Sequence, residues 1–156
     1  MSQTHIHLLI THLPIFGSIL GALVLLDGIW NKSNQIKSAA YNLFVISSIG
    51  AIIAYVTGEG AEESVENIQG IAKEALDQHE DFAVIGLVSL VILGIIAFIS
   101  LLITYKKSAL ANKAAYITLF VSIISFALIA RTGYLGGQIR HTEINSTTNQ
   151  QIPEKH

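Results

Sequence analysis

The sequence predicts an all-α membrane protein whose four transmembrane helices pack as an up-down-up-down bundle. Apolar residues make up 51% of the 156 residues and charged residues only 13%, about half the charged fraction of a soluble domain. Four segments are long and apolar enough to cross a bilayer, which takes about 20 residues. The polar connections between them hold most of the charged side chains.

The predicted spans cover residues 6–30, 39–57, 82–105 and 114–135. Together they form one domain over residues 1–144, and a polar tail follows at residues 145–156. The first apolar run is of full span length, and no basic residue precedes it. We therefore expect a retained helix there and not a cleaved signal peptide.

The connection between spans two and three is long and acidic. Residues 58–81 hold eight of the eleven acidic residues in the chain. Val65, Ile68 and Ile71 fall at helical spacing, which predicts a short acidic helical segment between the two spans. Gly70 is expected to separate two short helices within it.

The loop charges predict the orientation of the bundle. The two short connections, residues 31–38 and 106–113, carry five lysines. Short loops rich in lysine and arginine face the cytoplasm. Both termini and the acidic connection are then expected on the outer side of the membrane.

Small-residue faces predict which sides of the helices point inward, because membrane helices pack through small residues. Each such face leads to an ionisable residue at the outer surface. The faces are Pro14, Gly21 and Gly28 with His7; Ser47, Ala51, Ala54 and Gly58 with Glu62; Ala83, Gly86, Leu90, Gly94 and Ala97 with His79; and Gly133 and Gly137 with His141. The sequence therefore predicts that His7, Glu62, His79 and His141 converge.

Two further ionisable residues lie deeper in the spans. His12 follows His7 by five residues, and Pro14 is expected to distort the intervening turn. An ionisable group at that depth indicates a functional site, although a hydrogen bond across helices also explains a lone histidine. Arg131 near the end of span four is expected either to reach the interface or to pair with Glu59 or Glu62.

The absence of cysteine leaves imidazole and carboxylate as the strong ligands. Two histidines on neighbouring helices can hold haem b, with Arg131 against a propionate. Histidine with carboxylate also suits a zinc, copper or iron ion. The predicted haem ligands and contacts are His7, His12, His79, His141 and Arg131; the predicted metal ligands are His7, His12, Glu62, His79 and Glu80. No catalytic motif is present.

The chain resembles the bacterial four-helix membrane family called domain of unknown function 2231. The resemblance rests on residues 7–14, with two histidines five apart before a proline, on residues 57–63, on His79-Glu80 and on residues 133–141. The family usually has an aromatic residue where this chain has Leu13. By resemblance His7, His12 and His79 carry over as site residues. Association of some members with redox modules implies electron transfer with haem. In the inner membrane of a bacterium, the outer side that the loop charges predict for both termini is the periplasm.

Three functions remain open from the sequence. The first is a haem b or metal-dependent electron-transfer module at the outer face, with a periplasmic redox protein or a membrane complex as partner. The second is a non-redox sensor or carrier of zinc, copper or iron. The third is a structural subunit of a larger membrane complex. The lipid bilayer is an expected partner in each, and nucleic acid is not.

Overall fold

The chain folds into long helices joined by short turns. The computed structural model describes the backbone of residues 3–66 and 73–140, and the side chains of residues 5–58 and 76–138. Its helices are α1 (Gln3–Ile10), α2 (His12–Trp30), α3 (Asn34–Glu66), α4 (Lys73–Tyr105) and α5 (Ala111–Arg140).

Four helical segments are long and apolar enough to cross a membrane, which confirms the predicted spans. Helix α3 packs against α2 and α4, and α5 packs against α4 and α2, so the four long helices close into a ring. Residues of the acidic connection extend α3 and α4. Helix α3 continues without a break to Glu66, and α4 begins at Lys73. The position expected for a break, Gly70, lies outside the described residues.

The small-residue faces of α2, α3 and α4 point into the bundle, as the sequence predicts. Residues such as Ser47, Ala51 and Ala97 are buried. A Cβ atom added at Gly21 would lie 2.6 Å from the Phe44 ring, and one at Gly94 would lie 2.5 Å from the Ser48 Cβ. The helices approach closely because these positions carry no larger side chain.

The predicted inward face of α5 is only partly right. A Cβ atom at Gly133 would lie 2.8 Å from Ile15 Cδ1 on α2, but one at Gly137 would meet nothing within 4 Å. Hydroxyl side chains line much of the buried face: Thr118, Ser122, Ser125 and Thr132. Each bonds to a carbonyl, as Thr118 does to Ala114 O at 2.8 Å and Ser125 to Ser89 O at 3.1 Å, so these hydroxyls are satisfied inside the bundle.

The two short loops are built alike, and they lie together at what we call the loop end of the bundle. Lys32 and Lys107 both adopt left-handed backbone conformations with φ of 52°. Each helix end is closed by a pair of bonds, such as Ser33 N to Gly28 O at 3.0 Å. This is the Schellman arrangement, in which glycine usually holds the left-handed position.

A glycine in place of Lys107 should stabilise the fold more than a glycine in place of Lys106 does. Lys107→Gly relieves a left-handed conformation that costs a side-chain-bearing residue about 1–2 kcal/mol, whereas Lys106→Gly relieves none. Both variants carry the same flexibility cost in the unfolded chain. We expect Lys107→Gly to exceed Lys106→Gly by about 1–2 kcal/mol in the free energy of unfolding in detergent. Equal stabilities would contradict the backbone assigned to this loop.

Candidate functional site

The α-helical bonding is interrupted for only one residue near the N-terminus. Pro14 has no N–H to donate to the carbonyl of Ile10, and α1 ends at Ile10 while α2 begins at His12. Thr11 between them keeps helical backbone angles (φ −60°, ψ −25°), and its N–H donates to His7 O at 3.0 Å. The helical register therefore carries through Thr11, and α1 packs against α3.

His7 and His79 line one cavity at the end of the bundle where α1 begins and α5 ends. We call the cavity the histidine cavity and this end of the bundle the histidine end. The cavity has a volume of about 70 Å³. His7 reaches it from α1 and His79 from α4. The remaining lining is mostly apolar and includes Pro14, Ala54, Ala83, Leu87 and Ile129. The convergence of these two histidines agrees with the prediction.

Both imidazoles are held by backbone carbonyls. His7 Nδ1 lies 2.7 Å from Ala54 O, and His79 Nδ1 lies 3.1 Å from Thr132 O. A carbonyl oxygen only accepts, so each Nδ1 carries the proton and donates. In the neutral ring Nε2 then keeps its lone pair. Metal-binding histidines are commonly oriented in this way, through a hydrogen bond from the other ring nitrogen.

Two glycines provide matching space for the rings. A Cβ atom at Gly58 would lie 3.2 Å from His7 Cε1, and one at Gly136 would lie 3.0 Å from His79 Cε1. Each glycine follows the carbonyl that accepts the histidine bond by one helical turn. The contact of His7 with α3 is therefore repeated by the contact of His79 with α5. The two rings are positioned by the same local device.

His12 lies outside the histidine cavity. Its side chain is exposed on the bundle surface, where its ring stands edge-on to Phe16 with centroids 6.3 Å apart. At about 100° per residue, the five residues from His7 to His12 place the two side chains about 140° apart around the helix. The structure therefore does not bring His12 together with the other two histidines.

The other predicted site residues are also placed apart from the cavity or lie beyond the described side chains. Arg131 is exposed and stacks over Phe82 and Tyr134, with its Cζ atom 5.7 Å and 5.4 Å from the ring centroids. Glu80 is exposed next to His79 along α4. The side chain of Glu62 and the whole of His141 lie outside the described residues.

The cavity of about 70 Å³ has room for a small ion or for water. Among the described side chains no group of three or more histidine or acidic residues could hold a metal ion. The described part of the site supplies two imidazoles, those of His7 and His79.

The family assignment follows from a sequence comparison. The profile of the family described as "Predicted membrane protein (DUF2231)" matches residues 3–144. The chain belongs to this family. The matched region includes α1 to α5, so both histidines of the cavity and their glycine neighbours lie within the family's domain. No curated protein and no solved structure matches the chain.

The sequence does not reveal the backbone carbonyls that orient the two histidines. The carbonyls of Ala54 and Thr132 orient the rings, and backbone atoms leave no residue-type signal. Sequence reasoning also chose Gly137 where Gly136 is the residue against His79. The detectable signal was spacing, because Gly58 and Gly136 each stand four residues after the accepting position.

Proposed function

We propose that this DUF2231 protein binds one transition-metal ion through His7 and His79 at the histidine end of its membrane bundle. The observation that carries the proposal is the paired arrangement of the two rings. Each donates Nδ1–H to a carbonyl and keeps Nε2 for a ligand bond, and both line the same cavity.

The ligand chemistry favours zinc, copper or iron. Neutral imidazole suits all three, and the chain has no thiolate to narrow the choice. A bound copper or iron ion could support electron transfer, whereas zinc, copper or iron could each be the ligand of a non-redox sensor or carrier. Two histidines on neighbouring helices could also hold haem b, which the visible spectrum distinguishes from an ion.

Glu62 is the proposed third ligand. Helix α3 runs unbroken through Gly58 to Glu66, so residue 62 follows Gly58 by one helical turn and Ala54 by two. A carboxylate with two imidazoles is a common ligand set for zinc and for non-haem iron. Water would complete the coordination from the nearby surface.

Metal analysis of the purified protein tests the proposal. The protein is extracted in detergent without chelator, and its bound metals are measured per chain alongside its visible absorption spectrum. One copper, iron or zinc ion per chain without a Soret band is expected. A strong Soret band would identify haem and contradict the ion. A protein that neither carries nor takes up metal would favour the structural role, in which the histidines only bridge helices.

We further propose that the histidine end faces the periplasm of a bacterial inner membrane. The loop end carries Lys32, Lys106 and Lys107, which is the pattern of a cytoplasmic face. Alkaline phosphatase fused after residue 143 should be active, and green fluorescent protein fused there should be dark. If the green fluorescent protein fusion is fluorescent and the phosphatase fusion is inactive, the histidine end faces the cytoplasm.

A further inference from the structure

A second cavity lies at the loop end, far along the bundle from the histidines. Its volume is about 330 Å³. It lies where α2 ends and where α3 and α5 begin. Its lining is polar over much of its surface and contains two cations. The polar lining residues are Lys32, Asn34, Lys37, Ser108, Asn112 and Tyr116.

Lys37 is a buried cation in the wall of this cavity. Its side chain is only 2% exposed, and its Nζ donates to Asn112 Oδ1 at 2.8 Å. Within residues 5–58 and 76–138 no carboxylate forms an ion pair with it. An ammonium has three donors, and a buried charge is strongly disfavoured without a counter-charge. The amide oxygen of Asn112 satisfies one donor and supplies no negative charge.

The position of Lys37 is fixed by close packing. A Cβ atom at Gly28 would lie 2.8 Å from Lys37 N and 3.0 Å from Lys37 Cγ. The stem of the side chain therefore packs against α2, and its Nζ reaches Asn112 on α5. A lysine so constrained is suited to holding a ligand at one place.

The rest of the cavity adds positive potential. Lys32 belongs to the lining and is held in the left-handed turn. Helices α3 and α5 begin beside the cavity and α2 ends there, so the helix termini contribute partial charges of both signs, and the net positive charge comes from the two lysines. Asn34, Ser108 and Tyr116 offer further hydrogen-bonding groups. This combination is complementary to a compact, multiply charged oxyanion.

We propose that the loop-end cavity binds a phosphate-bearing anion, with Lys37 and Lys32 as the cationic contacts. The shared chemistry is the phosphate group, whose source is either the headgroup of an anionic lipid or free phosphate. Cationic pockets between transmembrane helices are known to hold lipid headgroups. The site is independent of the metal proposal, because it lies at the opposite end of the bundle and shares no residue with it.

Thermal unfolding of the full chain in a neutral detergent tests the site, because a ligand that binds only the folded state raises the unfolding temperature. The probes are phosphatidylglycerol, phosphatidylcholine and inorganic phosphate, each titrated at constant ionic strength. Wild type should be stabilised by phosphatidylglycerol and not by phosphatidylcholine. Additional stabilisation by inorganic phosphate would show that the free anion also binds; its absence would assign the site to the lipid.

Three variants locate the effect. Lys37→Gln should weaken phosphatidylglycerol binding at least about tenfold, since it removes a buried charged donor. Lys32 is exposed, so Lys32→Gln should fold as wild type does. It should weaken phosphatidylglycerol binding about two- to fivefold. Lys106→Gln removes the same charge from the same end but lies outside the cavity, and it should bind as wild type does. Equal losses in all three, or no difference between the two lipids, would overturn the proposal.

Discussion

Replacement of either cavity histidine should remove metal binding. His7→Ala and His79→Ala each delete one of two described ligands, and we expect each to weaken binding by at least about 100-fold, beyond the 10–100-fold typical of losing only an outer partner. The double variant should bind none. Equilibrium dialysis against zinc, copper and iron(II) measures the affinities.

His12→Ala is the matched control for these variants. It removes the same side chain from the same stretch of sequence, but His12 is exposed and lies outside the cavity. We expect wild-type affinity. Loss of binding in His12→Ala equal to that in His7→Ala would show that the ion is held elsewhere.

Metal binding should also weaken as the pH falls. A ligand imidazole must be neutral, and free imidazole takes up its proton near pH 6.5. Protons therefore compete with the metal below that pH. With two imidazole ligands, we expect the affinity to fall by up to about 100-fold per pH unit well below pH 6. Unchanged affinity between pH 7.5 and 5 would exclude a site built on two histidines.

A large side chain at Gly94 should strongly destabilise the bundle. A Cβ atom added at Gly94 would lie only 2.5 Å from the Ser48 Cβ, so Gly94→Leu must push α3 and α4 apart. Overpacking of this kind costs about 1–3 kcal/mol. Thermal unfolding in detergent measures the loss.

Gly137→Leu provides the comparison, because the same exchange occurs at a position with nothing within 4 Å. Both variants gain the same helix propensity, so the difference between them reports packing. We expect Gly137→Leu to remain at least as stable as wild type. Equal stability of the two leucine variants would mean that the α3–α4 interface is wrongly placed.

The sequence predicts the spans and three of the four inward faces because both depend on strong local signals. Apolar length determines a span, and glycine and alanine repeats mark close helix contacts. Helix α5 follows the same rule with other residues, since its buried face is built from Thr118, Ser122 and Ser125 and does not include Gly137. Their hydroxyls bond to carbonyls, which makes a polar face compatible with the interior. Residue polarity alone does not reveal such bonding.

The site was predictable only in part for a similar reason. His7 and His79 follow from helix register, and both line the cavity. His12 follows His7 by five residues, which is about 140° around the helix, so the same register turns it away from the cavity. The carbonyls that orient the rings, and the burial of Lys37 at the loop end, depend on how the helices pack. Neither is encoded by spacing within one helix.

X-ray absorption spectroscopy of the zinc-loaded protein tests the central claim most directly. With one equivalent of zinc per chain, the spectrum should show two imidazole nitrogens at about 2.0–2.1 Å, and the His7→Ala/His79→Ala double variant should retain no zinc. Zinc without an imidazole shell in wild type, or zinc retained by the double variant, would contradict a metal centre between His7 and His79.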